Sequence, residues 1–256
     1  MNAAKKIFDV KLATNLFCEA RKAGHRLESL PSSAMPETLE EAGLIQDEVA
    51  RSTGPVRAWK VGAASPSALP TRAPIHAETL FINPEHIPAS MFSYIGAEAE
   101  IAYKFARDLN AQAGDLTLDD VLGAVESVHP AIEIVDTRFT VWDSQPKLAH
   151  MADQGNHGAL IIGASIPDWR EMKPQVQRVT LEINGEVVAD KIDGNTAGNP
   201  EALLLWLANG GAASLGGIKA GHYVTTGSCT GTIMVKAPVE IKAALVGRGA
   251  VSVKIV

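Results

Sequence analysis

Cysteine is scarce here: the 256 residues hold only Cys18 and Cys229, far apart and outside any Cys-x-x-Cys motif. That excludes a disulfide framework and suits a reducing compartment. No histidine partner is evident for Cys229, which reads as a small packed residue rather than a nucleophile. Long apolar runs are missing too, so no transmembrane helix is predicted, and the opening Met1-Asn2-Ala3-Ala4-Lys5-Lys6 lacks the pattern of a signal peptide. Positive charge is in deficit, 23 Lys and Arg against 29 Asp and Glu for a net charge of −6, with no basic stripe or aromatic-basic interleaving. A nucleic-acid footprint is therefore absent. There is no internal repeat, low-complexity tract or flexible linker. What remains is a cytoplasmic protein, 46% hydrophobic, with the size of one large globular domain or one domain carrying a small helical appendage.

The pattern is helical first and β-rich afterwards. Ala13, Leu16, Phe17 and Ala20 recur at helical spacing behind Asp9 as N-cap. A second helix opens at Pro36 with acidic residues in its first turn, puts Leu39, Ala42, Ile45 and Val49 on one side, and ends at Gly54-Pro55. Short strands are expected over Val56 to Gly62, Thr79 to Ile82, Tyr94 to Phe105, Ala131 to Val135 and Gly158 to Gly163, with a helix from Thr117 between the third and fourth. Asn184-Gly185 between two alternating runs predicts a β-hairpin. Asn199 and Pro200 open a helix that is apolar nearly all round, and the tail from His222 returns to Val- and Thr-rich strands. The fold class is α+β: a helical N-terminal region over residues 1–75, then a β-rich domain over 76–256 with a mixed, mostly antiparallel sheet system.

Within this frame, Gly96-Ala97-Glu98-Ala99-Glu100-Ile101 stands out. Strand alternation points Glu98 and Glu100 to one face and the small apolar residues to the other. Glu133 interrupts the apolar run Ala131-Ile132-Glu133-Ile134-Val135, where a lone carboxylate is costly. Three converging carboxylates repel one another, and a hard divalent cation relieves that repulsion. Oxygen donors alone favour Mg²⁺ or Mn²⁺ over Zn²⁺. The competing reading is a solvated Glu-x-Glu face, with Glu133 a core carboxylate paired to an arginine such as Arg138.

These blocks, with Thr137-Arg138-Phe139 after the second, Ala152-Asp153 before a Gly-rich strand, and Pro200 to Asn209 followed by Leu215-Gly216-Gly217-Ile218-Lys219-Ala220-Gly221, resemble the fumarylacetoacetate hydrolase superfamily. The similarity is greatest to its 2-oxopent-4-enoate hydratase and 4-oxalocrotonate decarboxylase branch, and it runs from about Leu39 to the C-terminal strands. The resemblance implies a β-roll or sandwich behind a helical region, with Glu98, Glu100 and Glu133 as ligands of Mg²⁺ or Mn²⁺. It puts Lys60, in Trp59-Lys60-Val61-Gly62, where relatives carry a lysine that can bind a carboxylate or stabilise an enolate. It assigns Asp153, Thr226 and Ser228 to substrate binding.

This sequence also departs from the branch. Relatives carry an Asp-aromatic-Gly block where this chain reads Ala73-Pro74-Ile75-His76-Ala77-Glu78, and Asn then Ser where it reads Gln154-Gly155-Asn156-His157. His76 and His157 are the replacements available for proton transfer, since imidazole titrates near neutrality. The implied function is a hydratase of 2-hydroxypenta-2,4-dienoate or a similar small 2-oxo acid, a lyase of aromatic-compound catabolism. The alternatives are a 2-oxo-dioate decarboxylase, an acylpyruvate C–C hydrolase, or a metal-binding non-catalytic partner subunit. Homo-oligomers, and association with a related decarboxylase, are expected of the branch.

Overall fold

A computed structural model describes residues 8–109 and 116–256 of the chain. Its first element is helix α1, Val10–Ala23, where the Asp9 carboxylate accepts from the Leu12 N–H and Gly24 closes the end in the left-handed conformation. Helix α2, Leu39–Thr53, begins at Thr38, whose hydroxyl accepts from the Glu41 N–H, and carries Glu40 and Glu41 against the positive end of the helix. The two helices bury Ala13, Phe17, Ala20, Ala42, Ile45 and Val49 in one apolar cluster. Phe139 completes it, meeting Phe17 edge-on at 5.8 Å, a geometry worth about 0.5–1.5 kcal/mol beyond burial alone.

The body of the protein is two sheets. The larger contains β1 (Val56–Gly62), β2 (Thr71–His76), β3 (Leu80–Ile82), β5 (Ile95–Phe105), β6 (Val125–Val135), β7 (His157–Ile162), β10 (Tyr223–Thr225) and β11 (Ile233–Val235). Its order is β2-β1-β10-β5-β6-β7-β3, with β11 added alongside β5. The smaller runs β4 (His86–Ile87), β13 (Gly249–Ile255), β12 (Val239–Leu245), β8 (Val179–Ile183) and β9 (Glu186–Lys191). Pairing is mostly antiparallel, with parallel contacts at β1·β10, β3·β7 and β4·β13. Residues 1–75 therefore supply two strands of the large sheet besides the helices.

Alternation along these strands sorts the chain into two environments. Trp59, Ala97, Ala99, Ile101, Ile132, Ile134 and Ile161 point toward the smaller sheet and meet Leu181, Ile241, Ala243 and Val253 in the main core. The opposite face of the large sheet carries Ala58, Ala102, Ala131 and Leu160, continued by Lys60, Glu98, Glu100 and Glu133. The aliphatic half of that face is dry and the charged half lines a cleft. Helix α4 (Lys147–Ala152) and α2 overhang it.

The shorter elements follow their local chemistry. Thr117 and Asp120 form a reciprocal capping box, but helix α3 spans only Leu118–Leu122, because β6 begins at Val125, earlier than its apolar run suggests. Asn184 and Gly185 both take positive φ in the β8–β9 turn, as a tight hairpin requires. Helix α5, Pro200–Trp206, continues into a wider turn over Leu207–Gly211. Among the described residues, no helix is long and apolar enough to cross a membrane.

Candidate active site

The register of β5 against β6 sets Glu98 directly opposite Glu133, and Glu100 opposite Ala131. All three carboxylates share one face, and they offer oxygens within 4.8 Å of one another. Glu100 and Glu133 are each 1% exposed. On the other side of β5, β10 brings in Thr225, whose hydroxyl donates to Glu100 Oε2, and Gly227, whose N–H reaches the same oxygen at 3.2 Å. The Thr232 hydroxyl donates to Glu98 Oε1. Glu100 Oε1 is left buried with no hydrogen-bond partner among the described residues, within the cluster of three facing carboxylates.

Lys60 comes from β1, which β10 separates from β5. Its ammonium donates to Glu133 Oε1 at 2.6 Å and to the Gly155 carbonyl at 3.0 Å. That carbonyl is presented by a left-handed turn in which Gln154, Gly155 and Asn156 have φ of 53°, 59° and 59°. For a non-glycine residue this conformation costs about 1–2 kcal/mol, and the Gln154 amide offsets part of it by donating to the Gln46 carbonyl at 3.3 Å. Asn156, in the same turn, accepts from His150 Nδ1 at 2.9 Å.

The electrostatics follow from crowding. Burial, followed by repulsion from Glu133, raises the pKa of both Glu98 and Glu100, that of Glu100 well above the ordinary carboxylate range. Burial acts the same way on Glu133, but the Lys60 ammonium and the hydrogen bond from His157 outweigh it and hold that carboxyl below its usual value. Burial would lower the Lys60 pKa, and the three glutamates reverse this to a net rise. Fully ionised, the three carboxylates outweigh the one ammonium by two negative charges, which one divalent cation would balance while displacing the protons that the raised pKa values retain. Glu100 Oε1 is a ready ligand, and an all-oxygen donor set suits Mg²⁺ or Mn²⁺. The residues present therefore fit such an ion.

The cleft above these groups holds about 430 Å³. Besides Lys60 and the glutamates it is lined by Arg72, Lys147, His150, Asn156, Gly227 and Ser228. Ser228 Oγ accepts from the Thr230 and Gly231 N–H groups at 3.3 and 2.9 Å, which fixes the loop beside the cleft.

The remaining predicted residues lie elsewhere. Thr226 is fully buried and donates to the Ile101 carbonyl. Asp153 is fully buried under the helices, accepting from Arg138 N and Nε at 2.7 Å each, from Thr137, and from Arg21 at 3.3 Å. Arg138 therefore serves Asp153, while Glu133 takes Lys60 as its cation. His157 lies behind Glu133, donating from Nδ1 at 3.1 Å, with Nε2 facing the Thr79 hydroxyl at 3.0 Å. Burial lowers its pKa to about 4, so the ring is neutral there. His76 lines a different cleft, shared with Arg21 and Asp136. Sequence reasoning missed Arg72, Lys147 and His150. His150 carried the one available signal, a polar residue within the otherwise apolar helical run Leu148 to Ala152.

The chain is similar to known proteins in sequence and in fold. The model of the fumarylacetoacetate (FAA) hydrolase C-terminal family matches residues 51–255. The 2-hydroxyhexa-2,4-dienoate hydratase of Comamonas testosteroni is 29% identical over 158 residues, 62% of this chain and 59% of that protein. The 2-keto-4-pentenoate hydratase of Paraburkholderia phymatum is 27% identical over 199 residues, 75% of each chain. The fold is shared with 4-oxalocrotonate decarboxylase from Pseudomonas putida G7, solved with magnesium and adipate, at a TM-score of 0.79 and 22% identity over 96% of this chain and 97% of that one. With the match spanning nearly all of the chain beyond α2, this protein belongs to the fumarylacetoacetate hydrolase family.

Proposed function

We propose that the protein is a metal-dependent hydratase of 2-hydroxypenta-2,4-dienoate or a similar small 2-oxo acid, giving a 4-hydroxy-2-oxo acid. The observation that carries this reading is the cluster of Glu98, Glu100 and Glu133 within 4.8 Å, with Glu100 Oε1 unpartnered and the Lys60 ammonium in the same cleft. Both hydratases named above, and the magnesium in the decarboxylase structure, support it. Mg²⁺ or Mn²⁺ held by the three glutamates would supply Lewis acidity for the C2 oxygen of the substrate.

The chain's own groups do the rest. Lys60, held between Glu133 and the Gly155 carbonyl, faces the space an anionic substrate enters and stabilises negative charge as the dienol becomes the keto form. Thr225, Thr232 and the Gly227 N–H fix the two β5 glutamates so that their free oxygens converge. His157 orients Glu133 from behind as a neutral ring. In the balanced reaction one water is consumed: its hydroxyl joins C4, and two protons, one equivalent to that water's and one to the enol's, end on C5 and C3 as C2 becomes a ketone. No group leaves, so the product is heavier by one water.

Decarboxylation of a 2-oxo-dioate is the second reading. It is favoured by the near full-length structural match to the decarboxylase and by Arg72 and Lys147 lining the cleft, where a second carboxylate would meet positive charge. We also infer self-association, in keeping with exposed Val187 and Val188 on edge strand β9 and the half-buried Leu205 and Trp206 of α5. Association with a related decarboxylase is the corresponding hetero-oligomer. The test of function is the ultraviolet decay of 2-hydroxypenta-2,4-dienoate with Mg²⁺, with chelator, and with product masses measured. Metal-dependent gain of water supports the hydratase. Inert dienol with carbon dioxide released from a 2-oxo-dioate would replace that reading by the second, and failure of every substrate would leave a non-catalytic metal-binding subunit.

A further inference from the structure

A second cleft of about 440 Å³ lies behind the candidate active site, lined by Arg21, Arg26, His76, Thr79, Asp136 and Arg138 among others. The His157 imidazole stands between the two, its Nδ1 on Glu133 and its Nε2 on Thr79. The charge in this second cleft does not balance. Arg26 pairs with Asp136 at 2.9 Å, while Arg138 and Arg21 share Asp153 at 2.7 and 3.3 Å. Three guanidiniums thus face two carboxylates, and at the rim the exposed Lys22 and Glu78 offset each other.

The donors do not balance either. Arg21 Nε and both ring nitrogens of His76 are buried with no hydrogen-bond partner among the described residues, and His76 is only 5% exposed. The Gly54 backbone approaches the His76 ring without reaching hydrogen-bond geometry. The neutral His76 ring carries one N–H and one acceptor nitrogen, so one ring N–H and the Arg21 Nε–H are unmet buried donors, which ordinarily have a ligand or water.

We infer that this cleft is a binding site for a small oxyanion, a carboxylate or phosphate group, held between Arg21 and His76. An oxyanion is the chemistry that fits: it accepts from a guanidinium and an imidazole together and neutralises the spare positive charge. A metal cation meets the wrong sign of charge, and an apolar ligand leaves the same donors unmet. Arg21 and His157 both press the His76 pKa down after burial has done so, to about 4, and an anion beside the ring relieves that crowding. The site does not depend on the hydratase reading, since none of its residues lines the glutamate cleft.

The test is a titration of the full chain, with Mg²⁺ present and ¹⁵N-labelled histidine, followed at the His76 ring signals as assigned with His76→Asn. Inorganic phosphate and sodium acetate are added separately, with sodium chloride at matched ionic strength as reference. A saturable shift of His76 is expected, and whichever anion saturates at lower concentration identifies the phosphate or carboxylate form of the ligand. Arg21→Lys keeps the charge facing Asp153 but removes the Nε donor, and it weakens the saturable shift about tenfold or more. Because wild type alone gives the primary result, a poorly folded variant leaves the test intact. A His76 shift that only follows chloride, or shifts confined to His150 and His157 on the metal side, would overturn the inference.

Discussion

Lys60 Nζ lies 2.6 Å from Glu133 Oε1, so the candidate active site is closed by an ion pair between β1 and β6, two strands that are not neighbours in the sheet. Two strands, β10 and β5, lie between them, and each delivers its own contribution to the same face: Thr225 from β10, Glu98 and Glu100 from β5. The pair therefore reports whether all four strands are in register.

Breaking it by Lys60→Met leaves Glu133 buried beside two other carboxylates. The metal-free protein should lose about 3 kcal/mol of stability, the lower end for an uncompensated buried charge. Mg²⁺ should restore much of the loss, because the cation replaces the missing positive charge. Urea melts with and without Mg²⁺ check this, and equal destabilisation in both would mean that the ion does not bind at Glu133.

Thr225→Val is the gentler probe. It keeps the shape of a fully buried side chain and removes the hydroxyl that orients Glu100. Divalent affinity should fall on the order of tenfold, with the fold retained, as for other groups that hold a metal ligand in place. Calorimetric titration with Mn²⁺ measures it, and unchanged affinity would remove Thr225 from the account.

Arg138→Met should act on the fold rather than on the metal site. Asp153 would lose two 2.7 Å bonds if the backbone moves, and its Nε partner in any case, beneath helices α1 and α2. A cost of about 3–5 kcal/mol is expected. Mn²⁺ affinity at a temperature where the variant is folded should stay at the wild-type value.

Cys229 tests burial beside the site. Burial raises its thiol pKa to about 12, so the folded protein keeps that proton above the pH where an exposed cysteine ionises. Iodoacetamide should leave Cys229 unmodified in the native protein through mildly alkaline pH and label it on unfolding. Between the ordinary thiol pKa and about 12 the unfolded chain binds fewer protons, so this group lowers stability as pH rises through that window and contributes nothing below it.

How much of this was legible in the sequence divides along local and non-local lines. That Glu98 and Glu100 share a face follows from the two-residue period of a strand, and the Asn184-Gly185 hairpin follows from two residues able to take positive φ. The pairing of Glu98 with Glu133 depends on register across a helix insertion, and nothing local fixes it. Nor does local pattern reveal that residues 223–225 insert between β1 and β5, which is what brings Lys60 to the glutamates. Asp153 resembled a site residue by family position, yet its neighbours in space are Arg138 and Arg21, brought from the end of β6 and from α1. Family position and spatial neighbourhood agree for Lys60 and the glutamates, where the strands are long. They part at His76, where β2 ends and the chain turns into the second cleft.

The most direct test of the three-glutamate site is Mn²⁺ binding followed by electron paramagnetic resonance in wild type and in Glu133→Gln, which keeps the shape of the side chain and removes one charge. Wild type should bind one ion per chain, and the variant should bind at least about 100-fold more weakly and lose dienol turnover in parallel. Equal Mn²⁺ affinity in the two proteins would contradict the three-glutamate site, since the ion would then be held elsewhere and the convergence of Glu98, Glu100 and Glu133 would have no catalytic meaning.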